Sequence, residues 1–105
     1  NVSFDRDFLR ESFKRFDLNW PYGHRTVDLH SISYYHHLKN KIDPPVKDSK
    51  TALSLDRTLA YVGLPVEPKP HHGLVGAKLE AEAFYRFLYP NNGYLFEEYK
   101  EFRKI

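Results

Sequence analysis

The sequence predicts an α/β domain seen mainly through its helices, about five of them with one convincing strand. Three observations predict it. Apolar residues recur at three- and four-residue steps along several segments. Proline and glycine punctuate the stretches between those segments. One short run, Thr26-Val-Asp-Leu29, reads as a strand. A lone strand leaves its backbone groups unpaired, so partner strands are expected outside this chain and the isolated monomer is expected to be poorly stable.

The first helix carries Phe4, Phe8, Leu9, Phe13 and Phe16 near one face, with Arg6, Asp7, Arg10, Glu11, Lys14 and Arg15 around the remainder. Asp5 is placed as its N-cap or first-turn acid. Pro21 and Gly23 break the chain before the strand. A second helix puts Ile32, Tyr35, Leu38 and Ile42 on one face, and residues 43–50 read as a polar, proline-broken loop. Ser54 is the expected N-cap of a third helix with Leu55, Leu59 and Val62, stopped by Gly63. Pro65, Pro68 and Pro70 make a stiff connector to His71-His72-Gly73. A fourth helix runs from about Leu74 to Tyr89 with the stripe Leu74, Ala77, Ala81, Phe84 and Leu88, and Pro90–Gly93 ends it. A last amphipathic helix is expected around Leu95, Tyr99 and Phe102.

Composition narrows the function classes. Residues 1–105 fit one small domain, and a hydrophobic content of 41% supports one modest core. The absence of Cys excludes disulfide frameworks and thiolate metal sites. No apolar run approaches the roughly 18 residues of a spanning helix, so a cytoplasmic protein without membrane association is the expectation. A net charge of +2 is too mild to argue for nucleic acid by itself. The chain starts at Asn1 and contains no Met, so it is expected to begin inside a longer one.

Two stretches carry a resemblance. The first is Asn1-Val-Ser-Phe-Asp-Arg-Asp-Phe-Leu9. The second runs from Leu53-Ser-Leu-Asp through Val62-Gly-Leu and the proline connector to His71-His-Gly-Leu-Val-Gly-Ala-Lys-Leu-Glu-Ala-Glu-Ala-Phe84. They resemble the second and third motifs of the DEDDh-type 3′–5′ exonucleases, the proofreading and RNA-trimming group with a ribonuclease H-like fold. Val27-Asp-Leu29 is similar to the strand between those motifs. The likeness covers residues 1 to about 88 and rests on several weak signals in the right order. It implies a ribonuclease H-like α/β fold, represented here by its helical C-terminal part. It implies two-ion hydrolysis of phosphodiester bonds from a DNA or RNA 3′ end, with Mg²⁺ or Mn²⁺ held by four carboxylates and a histidine as general base on water. Asp5 then corresponds to the second-motif metal ligand and His71 to the base. The register on His72 would put Lys78 at a small-residue position, so His71 is preferred.

The chain departs from that pattern at two points. The fourth carboxylate belongs five residues after His71, where Gly76 stands. Glu80 lies one turn further on the same face, about 5.4 Å away, too far to replace an acid that must reach an ion at roughly 2.0–2.6 Å. The Asp-x-Glu of the first motif occurs nowhere in the chain, so it is expected from upstream residues or from another chain. This chain alone is therefore expected to be inactive. The competing expectation is a non-catalytic exonuclease-like module that binds nucleic acid or a protein partner.

Other constellations carry less. His24, His30, His36-His37 and His71-His72 lack a Cys partner, and adjacent histidines point to different sides of a helix, which argues against zinc. Tyr34, Tyr35, Tyr85 and Tyr89 sit at helical spacing and read as packing rather than as base-stacking platforms. Lys39, Lys41, Lys47 and Lys50 make a mildly basic region that reads as a solvated loop rather than a phosphate track.

Overall fold

Capping chemistry sets the ends of the central helices. The computed structural model describes residues 2–102, which form α1 (Val2–Arg15), α2 (Leu29–Lys39), β1 (Val46–Lys47), β2 (Lys50–Thr51), α3 (Leu55–Val62), α4 (Gly73–Leu88) and a 3₁₀ turn at Glu97–Tyr99. Ser54 caps α3 by accepting from the Arg57 N–H at 3.2 Å. Gly63 ends it in the left-handed conformation at φ 88°, which glycine adopts without a Cβ clash. Asp28 caps α2 by accepting from the His30 N–H at 2.9 Å.

That cap explains why no strand forms at residues 26–29. Leu29 is already the first residue of α2, and Asp28 turns the chain into it. With no neighbouring strand to pair, the backbone follows its local capping signal. Strand pairing occurs instead where a loop was expected. Val46 pairs with Thr51 and Lys47 with Lys50, across a two-residue turn in which Asp48 and Ser49 take positive φ of 53° and 62°. Two positive φ values in a two-residue hairpin loop match the twist of the flanking strands.

Helices α2, α3 and α4 pack on one another. Their shared core is Leu29, Leu59, Val62, Leu64, Leu79 and Ala83, joined by Tyr99 from the 3₁₀ turn. The buried faces differ from the apolar stripes. Helix α2 buries Leu29, Ser33 and His37, and leaves Tyr35 and Leu38 exposed. Helix α4 buries Gly76, Leu79, Glu82, Ala83 and Arg86, while Leu74 and Leu88 face solvent.

The polar members of the α4 face hold the C-terminal segment. Glu82 is fully buried and Arg86 is 3% exposed. Arg86 Nε donates to Glu82 at 3.0 Å. Glu82 also accepts the N–H groups of Leu95 and Phe96, the latter at 2.8 Å. The Arg86 guanidinium donates to the carbonyls of Tyr99, at 2.8 Å, and Phe102. One ion pair thus satisfies four backbone groups, which is why this segment stays ordered with a single 3₁₀ turn rather than a full helix.

Helix α1 is different. None of its residues is buried, and Phe4 and Phe8 are 68% and 67% exposed. The chain after it folds back, with Trp20 edge-on to Phe13 at 5.1 Å and Arg10 over the indole. Among the described residues, no helix is long and apolar enough to cross a membrane.

Candidate functional site

A groove of about 720 Å³ joins α1 to the bundle. Asp5 reaches it from the first turn of α1, Asp28 from the α2 cap, Ser54 and Thr58 from the start of α3, and Glu80 and Phe84 from α4. Because α1 begins at Val2, Asp5 is a first-turn acid rather than the cap. Asn1, which opens the first motif-like stretch, lies outside the described residues.

The acids of this groove feel one another. Partial burial raises the pKa of Glu80 above its ordinary value of 4.5, and the negative charges of Asp5, Glu67 and Asp28 push it further. A carboxyl whose pKa rises on folding binds its proton more tightly in the native state. Its contribution to stability is fully present below 4.5 and is lost as pH rises through the raised value. Glu80→Gln is therefore expected to raise the melting temperature near neutral pH. Thermal melts at lower pH should show that gain shrinking until, below 4.5, the two proteins agree.

His71 and Gly76 are not among the residues that line this groove. His72 occupies the N-cap position of α4, so His71 lies just outside the helix. Its Nδ1 is 3.2 Å from Glu67 Oε1, with the imidazole side chain 67% exposed and the glutamate side chain 16% exposed. Glu67 belongs to the proline connector and is anchored through its own N–H, which donates to Asp56 at 3.3 Å. The Glu67 carboxylate lies over Gly76. A Cβ added at Gly76 would stand 2.8 Å from Glu67 Oε1 and 3.3 Å from its Cδ. Gly76 is an interior residue of α4, where glycine costs roughly 0.5–1 kcal/mol against alanine.

The histidines weighed for zinc are engaged elsewhere. His37 Nδ1 lies 2.7 Å from the Ser33 carbonyl and its ring stacks on Tyr61 at 3.9 Å. His36 Nδ1 meets the Tyr61 hydroxyl at 2.8 Å. Burial lowers the His36 pKa, and the charges of His37 and Lys39 lower it further. His30 Nε2 pairs with Thr51 Oγ1 at 2.8 Å. Tyr85 and Tyr89 lie ring to ring at 5.2 Å, and the hairpin sets Lys47 directly opposite Lys50.

Among the described residues, no three His, Asp or Glu side chains come together to hold a metal ion. The residues present do not fit a pair of divalent ions. Asp5 and Glu80 share the groove, Gly76 offers no donor, and the Glu67 carboxylate is turned to His71. No family model, curated protein or solved structure matches this chain. The arrangement itself is therefore the basis for reading what the groove does. Of the residues that the family resemblance singles out, Asp5 lines the groove, and His71 and Gly76 do not. Glu67 was not singled out, although an acid four residues before a histidine in a proline-rich segment was a visible signal.

Proposed function

We propose that these residues are the helical C-terminal part of a DEDDh-type 3′–5′ exonuclease domain of ribonuclease H-like fold. In this reading the domain handles the 3′ end of single-stranded DNA or RNA in the cytoplasm, and this chain does not cut by itself. One observation supports the reading above the others: Asp5, near one end of the chain, and the α4 helix that follows His71 line a common groove. From the second stretch, Leu53, Ser54, Leu55, Glu80, Ala81 and Phe84 line the groove with Asp5, whereas His71 lies outside that lining. The carboxylate over Gly76 favours a second form of the reading, in which the domain keeps its groove for binding and has lost cleavage.

The test incubates the full-length protein with a 3′-labelled single strand and Mg²⁺ or Mn²⁺, beside Asp5→Asn and Gly76→Asp forms. Shortening of the strand, abolished by Asp5→Asn, is the result expected of the enzyme. Shortening by the Gly76→Asp form alone identifies an inactivated copy that binds. If neither form cuts and neither retains the labelled strand in a filter assay, the exonuclease reading is wrong.

A further inference from the structure

We infer that His36 and His37 form a pH-sensitive latch, which holds the last turn of α2 against α3 and α4 while the His36 ring is neutral and releases it when that ring takes up a proton. The latch acts whether or not the chain is a nuclease.

The last turn of α2 has no apolar hold on the bundle. Tyr35 and Leu38 are 65% and 53% exposed, and Tyr34, Lys39 and Asn40 also face solvent. His36 and His37 turn inward instead, and both rings meet Tyr61 of α3. The His37 ring stacks on the phenol at 3.9 Å. The His36 ring stands edge-on to Tyr61 at 5.4 Å and to Phe87 of α4 at 5.2 Å. An apolar side chain at position 36 would pack there at any pH. An imidazole packs there at a cost that depends on its charge.

Hydrogen bonding decides which charge state the place accepts. The Asn40 side-chain amide donates to the His36 carbonyl at 2.8 Å, which sets its nitrogen toward the ring, 3.4 Å from Nδ1. An amide nitrogen only donates, so Nδ1 carries the lone pair and the ring proton sits on Nε2. The Tyr61 hydroxyl then donates to the same Nδ1 at 2.8 Å. A proton on Nδ1 removes the acceptor that both groups use.

The charge so created has no counter-charge. Among the described residues, the groups that face the ring are Tyr61 from α3, Phe87 from α4, and His37, Lys39 and Asn40 from α2 itself. None is a carboxylate. Burial raises the Tyr61 pKa, so its hydroxyl keeps its proton. The C-terminal end of a helix favours a cation, yet burial, His37 and Lys39 hold the His36 pKa below 6.5. The unfolded chain therefore binds this proton more tightly than the folded one. The stability is fully present above 6.5 and is lost as pH falls through the lowered value. Leu29 and Ser33 are buried and do not titrate in this range, so they keep the first half of α2 seated. The release is confined to the last turn, and it uncovers Tyr61 and Phe87.

Proton–carbon spectra of the aromatic rings, followed from about pH 8 to about pH 4.5 across the usual histidine range, test the latch. The His36 ring is expected to titrate below 6.5. As it does, its cross-relaxation with the Phe87 ring should disappear, while that between Leu59 and Leu79 in the core persists. The melting temperature should fall over the same interval. Glu80 cannot imitate that fall, because its titration changes stability in the opposite direction. His36→Gln, which keeps a neutral acceptor, should flatten the fall, and so should His36→Phe, which keeps the ring packing and never titrates. His24→Gln, at an exposed histidine, should leave the fall as in the parent. The latch is wrong if both His36 variants keep the parent's pH dependence, or if the His36–Phe87 cross-relaxation survives titration. A His36 ring that titrates at or above 6.5 also overturns it. So does a fall that only His37→Gln removes, since the response would then belong to the stacked ring.

Discussion

Arg86→Met is expected to cost the folded state about 3–5 kcal/mol, the usual penalty for removing one partner of a buried ion pair. The substitution preserves volume and helix propensity, so the loss reports charge and hydrogen bonding rather than packing. Glu82 would remain fully buried with its guanidinium partner gone, and the carbonyls of Tyr99 and Phe102 would lose their donor. Urea denaturation should show a lower midpoint, and limited proteolysis should cut within residues 94–102 before the rest of the chain. Removing both charges, in Glu82→Leu with Arg86→Met, should cost less than the sum of the two single changes, because neither charge is then left stranded. A midpoint for Arg86→Met within error of the parent's would mean that the pair is solvated in solution.

Leu59→Ala is expected to cost about 2–5 kcal/mol. Leu59 is fully buried between α3 and α4, against Val62, Leu79 and Ala83. A domain of this size is stabilised by only about 5–15 kcal/mol, so this one truncation removes a large part of the margin. Leu74→Ala, on the same kind of residue, should change stability by less than about 0.5 kcal/mol, since Leu74 is 65% exposed. The contrast tests which face of α4 is the core. Equal midpoints for the two variants would contradict the assignment.

That contrast also shows why some features were legible in the sequence and others were not. Local chemistry was readable. Ser54 and Gly63 bracket α3 where capping rules place them, and Pro90 follows the end of α4. The buried faces were not readable, because they are partly polar. On α2 the inward positions are Leu29, Ser33 and His37, with His37 bonded to the Ser33 carbonyl. On α4 they include Glu82 and Arg86, whose charges are satisfied by backbone far along the chain. An apolar-stripe argument rotates both helices toward Tyr35 and Leu74, because it counts side chains and ignores what they bond to. The turn at Asp48-Ser49 escaped for a related reason. Its positive φ values normally select Asn-Gly or Asp-Gly, and Ser is a weak signal for them.

The candidate site divides along the same line. Asp5 and His71 were singled out by a resemblance carried within single segments, and of the two only Asp5 lines the groove. The Glu67 carboxylate lies over a helix that starts six residues later, so its closeness to Gly76 is visible only in the folded chain. Glu80 could be placed on the right helix face from periodicity, but its neighbours Asp5 and Asp28 come from other segments, and the resulting pKa rise is a tertiary effect.

Helix α1 contributes Asp5 to the groove yet buries none of its own residues. The scaffold and the site therefore have separate stabilities. The bundle of α2, α3 and α4 is assembled from segments adjacent in the chain, whereas the groove closes only when α1 settles against it. Segments with little buried surface detach at free energies far below that of global unfolding. Opening of α1 away from the groove is therefore expected at a lower free energy than global unfolding. Anything that binds across Asp5 and Glu80 draws its free energy partly from the ordering of that helix, so affinity at this groove and rigidity of α1 are one linked quantity.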